Sequence, residues 1–567
     1  MNGLKNSKLA YYDVQKFDTI REMLSLADEQ AGDKAAFMYP TKSGSESVTY
    51  HEFVMTTEYL GTALTAMGFG KSHIANIGEN SYKWVCVYLT ALKSGGVYVP
   101  IDKELPFDDI VNVANNSESE ILFYAKKFDK QLRENRDRFP NIKYFIGLSL
   151  DEDDGEFLSY DKLLSRGKEL YDSGNRDYTE LKSDENALKM LVYTSGTTGL
   201  AKGVMLTEHN LVSSVYYGLE VSRVYDRCLS VLPYHHTYEA VCGLLVGLHH
   251  HATICINDRL TNVLKNLQRY KPEYLYLVPA FAELFYKRIW ATIRERKQEH
   301  LVKAMISVSN ALLKVGIDVR RKMFKSIIDN FGGKLVKIVC GGAPIRPEVG
   351  AFFDSIGIYL INGYGITECS PLVSANREEC NDCSTVGYPL RCVELKFDTV
   401  DRDGVGEICV RGDVVMKGYY KQEELTREVL SDDGWFHTGD YGCLNKKGML
   451  KITGRKKNII VLNNGKNIFP EEIEGYIQAI PYVKEVIVYS TIDDKGLETG
   501  LCAEVFPDFD SPEVKQSGDV HEMLKKDIAE ATKELPMYKK ISRVKVRDRE
   551  FVKNTSNKIK RNLINKD

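Results

Sequence analysis

One stretch constrains this chain more than any other: Tyr193-Thr194-Ser195-Gly196-Thr197-Thr198-Gly199-Leu200-Ala201-Lys202-Gly203-Val204, entered from the apolar run Met190-Leu191-Val192. An apolar run of that kind reads as the end of a buried strand. The residues after it suit a turn wrapped around a polyphosphate. Glycines let the backbone come close and take φ > 0, N–H groups and hydroxyls donate to phosphate oxygens, and Lys202 supplies countercharge. The nucleotide-triphosphatase loop G-x-x-x-x-G-K-[ST] does not fit. Started at Gly196, it would put Ala201 where the second glycine belongs and Gly203 where the metal-binding hydroxyl belongs. Standing alone, the stretch can also be an ordinary Gly/Ser/Thr surface turn, so the rest of the chain must decide.

With 567 residues, the chain is too long for one ordinary core, and at least two domains are expected. A net charge of −3 offers no general electrostatic reason to bind nucleic acid. The N-terminal residues lack the apolar core of a signal peptide, and no uninterrupted apolar run reaches bilayer length. The 12 cysteines are scattered, several inside apolar runs (Cys86, Cys242, Cys340), and Cys380-x-x-Cys383 has no second pair at zinc-ribbon spacing. These features point to a reducing cytoplasm.

Ahead of the loop, strand-like Ile74–Ile77, Val97–Ile101, Ile121–Tyr124 and Tyr144–Leu148 alternate with helical patterns such as Tyr82–Lys93. Strand, helix, strand with short connections predicts mostly parallel sheets covered by helices, an α/β architecture. Beyond it, Leu232-Pro233-Tyr234-His235-His236-Thr237-Tyr238-Glu239 closes another strand-like run and reads either as a satisfied core corner or as the wall of a substrate slot. From Phe281 to Asn330 the pattern is helical. Leu301, Met305, Val308, Leu312 and Val315 recur at spacings of four and three, with basic flanks from Lys287 to Lys325. Such a helix either packs on its own domain behind a solvated basic rim or lies on an anionic membrane surface.

Two strand-then-glycine turns follow, Gly341-Gly342-Ala343-Pro344 and Asn362-Gly363-Tyr364-Gly365-Ile366-Thr367-Glu368. Open parallel sheets bind ligands beyond the carboxyl ends of their strands. A flat Tyr364 facing glycine-rich backbone can sandwich a planar base, and Glu368 is a hard oxygen ligand suited to magnesium. Asp440, in the turn Thr438-Gly439-Asp440, suits two vicinal hydroxyls. The last 110 or so residues carry strands at Glu485–Tyr489 and Leu501–Phe506 and a helix near Val520–Leu535, enough for a compact α+β domain.

In this order the motifs resemble the adenylate-forming (AMP-binding) superfamily from about Phe17 to Arg561, most like its long-chain fatty acyl-CoA synthetases. The resemblance implies a large N-terminal domain (1–456) with parallel sheets and a β-rich subdomain, and a small mobile C-terminal domain (457–567). It assigns Thr194, Ser195, Gly196, Thr197, Thr198 and Lys202 to phosphate, and Gly342, Ala343, Pro344, Asn362, Gly363, Tyr364 and Gly365 to adenine. Thr367 goes to phosphate, and Glu368 and Thr194 to Mg2+. Asp440 and Arg455 go to ribose, Lys457 to the hinge, and Lys558 to catalysis of adenylation beside Thr194, Glu368 and His236. Long-chain relatives show L-P-L-A-H-x-x-E where this chain has Tyr234 and His235 ahead of His236 and Glu239, and Asn557 stands where a glycine commonly precedes the catalytic lysine. The implied substrates are ATP, a fatty acid and coenzyme A, with an acyl carrier protein as the alternative acceptor. The implied setting is cytoplasmic, with peripheral contact at the inner membrane face left open.

Overall fold

In a computed structural model, residues 10–42, 44–182, 184–195, 201–402, 404–461, 467–492, 498–553 and 559–564 are described. The chain forms two compact units. The first comprises Met1–Leu395, Val410–Phe436 and Lys446–Met449; the second comprises Lys396–Cys409, His437–Asn445 and Leu450–Asp567.

The expected alternation is realised closely in the first unit. Strands His73–Ile77, Val97–Ile101, Ile121–Tyr124 and Tyr144–Gly147 and the helix Tyr82–Lys93 fall on the apolar runs that predicted them. The helix starts where Ser81 accepts a hydrogen bond from the backbone N–H of Trp84, which satisfies one of the orphan donors of the first turn. These strands lie parallel in an eight-stranded sheet with Leu188–Ser195 and Phe157–Ser159. One edge is antiparallel, where Leu188–Ser195 turns back into Ala201–Thr207, which in turn pairs with Gly418–Tyr419.

A nine-stranded sheet forms the other layer of this unit. Its parallel heart runs Tyr359–Gly365, Lys337–Cys340, Tyr274–Leu277, Arg227–Ser230, Thr253–Ile256 and Ala35–Pro40. The inner strands Lys337–Cys340, Tyr274–Leu277 and Thr253–Ile256 are buried throughout, whereas Ala35–Pro40 is only partly so.

The helix Glu299–Lys314 corrects the sequence reading. It buries Val302 and Ser309 and packs Met305 and Ile306 against the core, whereas Leu301 (57 %), Val308 (53 %) and Val315 (72 %) are exposed. Two neighbouring faces of this helix are apolar, and spacing by threes and fours fits both. The stripe chosen from sequence is mostly the outward one.

In the second unit, strands Val483–Ile492, Glu498–Pro507 and Arg543–Val546 form a sheet covered by helices Pro470–Gln478 and Val520–Ala531. Ile473, Ile477, Val486, Val505, Leu524 and Ile528 make its core. The expected helix ends earlier than Leu535, and Thr532 forms its cap. This unit also takes half of the strand Val393–Asp398 and the greater part of Gly406–Gly412, Phe436–Leu444 and Leu450–Arg455, hydrogen-bonded in that order.

Candidate active site

The stretch that opened the sequence reading is flanked by two antiparallel strands, Leu188–Ser195 and Ala201–Thr207. Thr194 stands opposite Lys202 and Ser195 opposite Ala201 in an antiparallel ladder. Gly196, Thr197 and Thr198 lie outside the described residues. Lys202 projects its ammonium over the ring of Tyr419, 5.2 Å from the centroid. The Tyr419 hydroxyl donates to Glu368 Oε1 at 2.9 Å, and the backbone N–H of Met416 donates to the Glu368 carbonyl at 2.8 Å. Burial, then the neighbouring Glu368 carboxylate, raises the Tyr419 pKa, so this phenol stays a donor. One tyrosine therefore couples the loop lysine to the acid expected to hold magnesium, although the two are far apart in sequence.

Sequence reasoning missed Tyr419. The residue owes its place to the pairing of Gly418–Tyr419 with Val204 and Met205, and nothing near it in the chain reveals that contact.

The two glycine turns lie side by side. Lys337–Cys340 and Tyr359–Gly365 are adjacent parallel strands with Cys340 opposite Asn362, so the segments leaving them begin at the same sheet end. Gly342 takes φ +81°, and Gly342, Ala343 and Pro344 are exposed. Tyr364 is buried in the strand. Asn362 donates through Nδ2 to the Thr385 carbonyl at 3.1 Å, which makes it a brace for the turn as well as an adenine candidate. A Cβ on Gly365 would sit 2.4 Å from the Pro371 carbonyl oxygen, too close for any other residue without a shift, and Thr367 and Glu368 follow in a 3-10 turn.

The histidine-bearing corner shows why this chain departs from the long-chain pattern. Tyr234 is a core residue. Its ring packs 5.1 Å from that of Trp84, and its hydroxyl lies 3.1 Å from Ser230 Oγ. The His235 ring packs tilted at 50° against that of His236, centroids 4.2 Å apart, and lies 3.4 Å from Asp102. Burial, then His236, lowers the His235 pKa to about 3, so it is a neutral ring at physiological pH. Glu239 is fully buried, accepts from Ser230 Oγ at 2.5 Å, and is pushed up to about 8 by desolvation. Tyr238, at the start of the π-helix Tyr238–Leu245, donates to the Val339 carbonyl at 3.0 Å. Its ring would lie 3.1 Å from a Cβ on Gly341. The His236 corner and the first glycine turn thus share a wall.

The remaining candidates belong to the second unit. Asp440 and Arg455 are direct cross-strand partners, with Arg455 Nε 2.7 Å from Asp440 Oδ1. The carboxylate is buried and the guanidinium half-exposed, a charge-assisted pair across the two strands. Lys457 lies in the short 3-10 turn Lys456–Asn458, where burial, then Arg455, lowers its pKa. Lys558 lies outside the described residues, but both of its flanks are placed. Lys553 bridges to Ile559 and pairs with Glu485, and Arg561 reaches Glu474 Oε2 at 2.5 Å. A surface depression of about 690 Å³ at Phe69, Lys143 and Tyr144 shares no residue with any of these groups.

An α/β scaffold that presents a hydroxyl- and glycine-rich hairpin, a lysine and an acid at the ends of its sheets is that of an adenylate-forming acid–thiol ligase. The AMP-binding enzyme model matches residues 25–420 and the AMP-binding enzyme C-terminal domain matches residues 457–567, and the chain belongs to this family. Fatty acyl-CoA synthetase A of Dictyostelium discoideum is 29 % identical over 92 % of this chain and 79 % of its own. The chloroplastic long-chain fatty acid–acyl-carrier-protein ligase of Arabidopsis thaliana is 27 % identical over 81 % of this chain and 73 % of its own. Among solved structures, the anthranilate CoA ligase AuaEII in complex with anthranoyl-AMP covers 99 % of this chain and 97 % of its own with a TM-score of 0.75, at 19 % identity. Among the described residues no helix is long and apolar enough to cross a membrane.

Proposed function

We propose that this protein activates a long-chain fatty acid with ATP, forming an acyl-adenylate and pyrophosphate, and then passes the acyl group to the thiol of coenzyme A with release of AMP. A carboxylate is a poor electrophile, and the mixed anhydride with AMP makes its carbonyl attackable. The observation that carries the reading is the Lys202–Tyr419–Glu368 chain. It supports a polyphosphate site in which a cation and a hard oxygen ligand are held by one rigid ring. Ser195, Gly196, Thr197 and Thr198 donate to phosphate, Thr367 joins them, and the adenine lies between Gly342–Pro344 and Tyr364. Glu368, oriented through Oε1, and the Thr194 hydroxyl are the residues that would hold Mg2+, which supplies positive charge against the phosphate oxygens. Asp440 and Arg455 bind the ribose, His236 lines the acyl slot, and Lys558 bridges carboxylate and α-phosphate where charge grows in the transition state. The domain division falls at residues 456 and 457, with Lys457 as pivot.

Acyl transfer to a carrier-protein phosphopantetheine is the second reading, favoured by the resemblance to the plant acyl-carrier-protein ligase. The exposed Leu301, Val308 and Val315 among basic residues support peripheral docking on anionic lipid. The test of the main reading is ATP–pyrophosphate exchange across carboxylic acids of increasing length, followed by product analysis with coenzyme A or carrier protein as acceptor. Each methylene buried in the slot adds about 0.8 kcal/mol, roughly fourfold in affinity. Exchange should therefore rise steeply towards long acids. Equal activation of acetate, benzoate and dodecanoate would refute the fatty-acid assignment.

A further inference from the structure

Three strands of the second unit converge on a group of ligand atoms that acyl activation does not use. Asp398 ends the strand Val393–Asp398, Cys409 lies on Gly406–Gly412, and His437 lies on Phe436–Leu444. Glu407 precedes Cys409 by two residues and so shares its face of the sheet. Cys409 Sγ is 3.4 Å from His437 Nδ1 and 3.7 Å from Asp398 Oδ2, and His437 Nδ1 is 3.9 Å from Asp398 Oδ2. Glu407 Oε2 stands 3.8 Å from the same imidazole nitrogen.

These separations are those of a coordination shell. With zinc-to-sulfur, -nitrogen and -oxygen bonds of about 2.3, 2.0–2.1 and 2.0–2.2 Å, the corners of a tetrahedron are about 3.3–3.6 Å apart. The three atoms need to shift by only a few tenths of an ångström. The thiol already donates to the Asp398 carboxylate and lies within hydrogen-bond reach of the His437 ring nitrogen, so the three atoms face one point before any ion binds.

The surroundings agree. Cys409 forms the closed floor, while Asp398 and His437 are 37 % and 31 % exposed, which gives an ion a path from solvent. Two lysines face the cluster: Lys456 Nζ lies 2.6 Å from Glu407 Oε2, and Lys396 Nζ lies 3.6 Å from Asp398 Oδ2. Both stems are about half exposed and can swing their ammonium groups into water.

We propose that Asp398, Cys409 and His437 form a site for a borderline divalent cation of the zinc class, with water as the fourth ligand and Glu407 held beside it by Lys456. The sulfur ligand separates this site from the magnesium of the adenylation reaction, since magnesium and calcium select oxygen. As the metal–sulfur bond forms, the thiol gives its proton to bulk water. The ion would tie three strands together just ahead of Asp440 on the third, acting as a clip for the ribose-binding strand without taking part in the chemistry.

The test uses full-length protein stripped of metal and titrated with Co2+ alone. The expected result is one equivalent bound with a thiolate-to-cobalt charge-transfer band, and loss of that band when Zn2+ is added. Cys409→Ser should abolish the band, and His437→Gln and Asp398→Asn should each weaken Co2+ binding about tenfold or more. A wild-type titration without the band overturns the proposal, as does a band of full intensity in Cys409→Ser, which would belong to another thiol. If Cys409→Ser does not fold, the other two variants decide, and unchanged cobalt affinity in both overturns the site.

Discussion

At the scale of single residues, Glu239 makes the sharpest statement. Desolvation raises its carboxyl from an ordinary 4.5 to about 8, and Ser230 only partly offsets that. The unfolded chain therefore loses this proton near pH 4.5 and the folded chain near pH 8. Between those values the native state binds more protons, so stability must fall as pH rises. The contribution is fully present below pH 4.5 and is lost through pH 8, at up to about 1.4 kcal/mol per pH unit. Glu239→Gln keeps the shape and an acceptor for Ser230 but removes the titration. Its melting temperature should gain on that of the parent steadily from pH 5 to pH 8. Parallel profiles would mean that the carboxyl is ionised in the folded protein.

Among elements, the decisive contact is the π-helix against the first glycine turn. Tyr238 is pinned by its hydrogen bond to the Val339 carbonyl, and a Cβ at Gly341 would lie 3.1 Å from its ring, a tight contact. Gly341→Val should push into this shared wall and shorten the acyl slot. With roughly fourfold per methylene, loss of two carbons of depth lowers kcat/KM for the longest acids about 15-fold and leaves short acids unaffected. Tyr238→Ala should do the reverse and shift the preference upward. Chain-length profiles of both variants check this, and parallel losses across all lengths would place the wall elsewhere.

The same elements show what could be read before folding. The short strands and the Tyr82–Lys93 helix were legible because burial on both faces writes itself as an uninterrupted apolar run between turn residues. The glycine turns were legible because a positive φ favours glycine at Gly342 and close approach of the Pro371 carbonyl requires it at Gly365. Tyr419, the Tyr238 wall and the Asp398–Cys409–His437 cluster were not, since each depends on strands meeting across long stretches of chain. The helix Glu299–Lys314 was legible as a helix, but its periodicity could not choose between two apolar faces.

For the whole molecule, the proposed function asks one chain to run two unlike reactions. Lys558→Ala should depress acyl-adenylate formation roughly 10²–10³-fold, the typical cost of one transition-state donor, and spare thioester formation from supplied acyl-adenylate. Lys457→Pro, by fixing φ at the pivot, should spare the first step and impair the second. Measuring both half-reactions in both variants decides the matter, and equal losses in Lys558→Ala would make that lysine structural. Membrane docking is also a property of the whole surface. The protein should sediment with anionic but not zwitterionic vesicles at low salt, and Leu301→Glu with Val308→Glu should release it. Recovery of the parent in the supernatant at low salt would favour the packed-helix reading.

The nine-stranded sheet has a consequence for synthesis on the ribosome. Ala35–Pro40 gains its antiparallel neighbour Ser45–Thr49 almost at once, but its parallel neighbour Thr253–Ile256 is made more than 200 residues later. At about 5–20 residues per second, one strand edge waits on the order of 10–40 s with unpaired N–H and C=O groups. The nascent chain thus emerges as a half-finished sheet whose first strand must be kept from other partners. The antiparallel partner Ser45–Thr49 covers only the opposite edge of that strand, so the edge that awaits Thr253–Ile256 stays open throughout that interval.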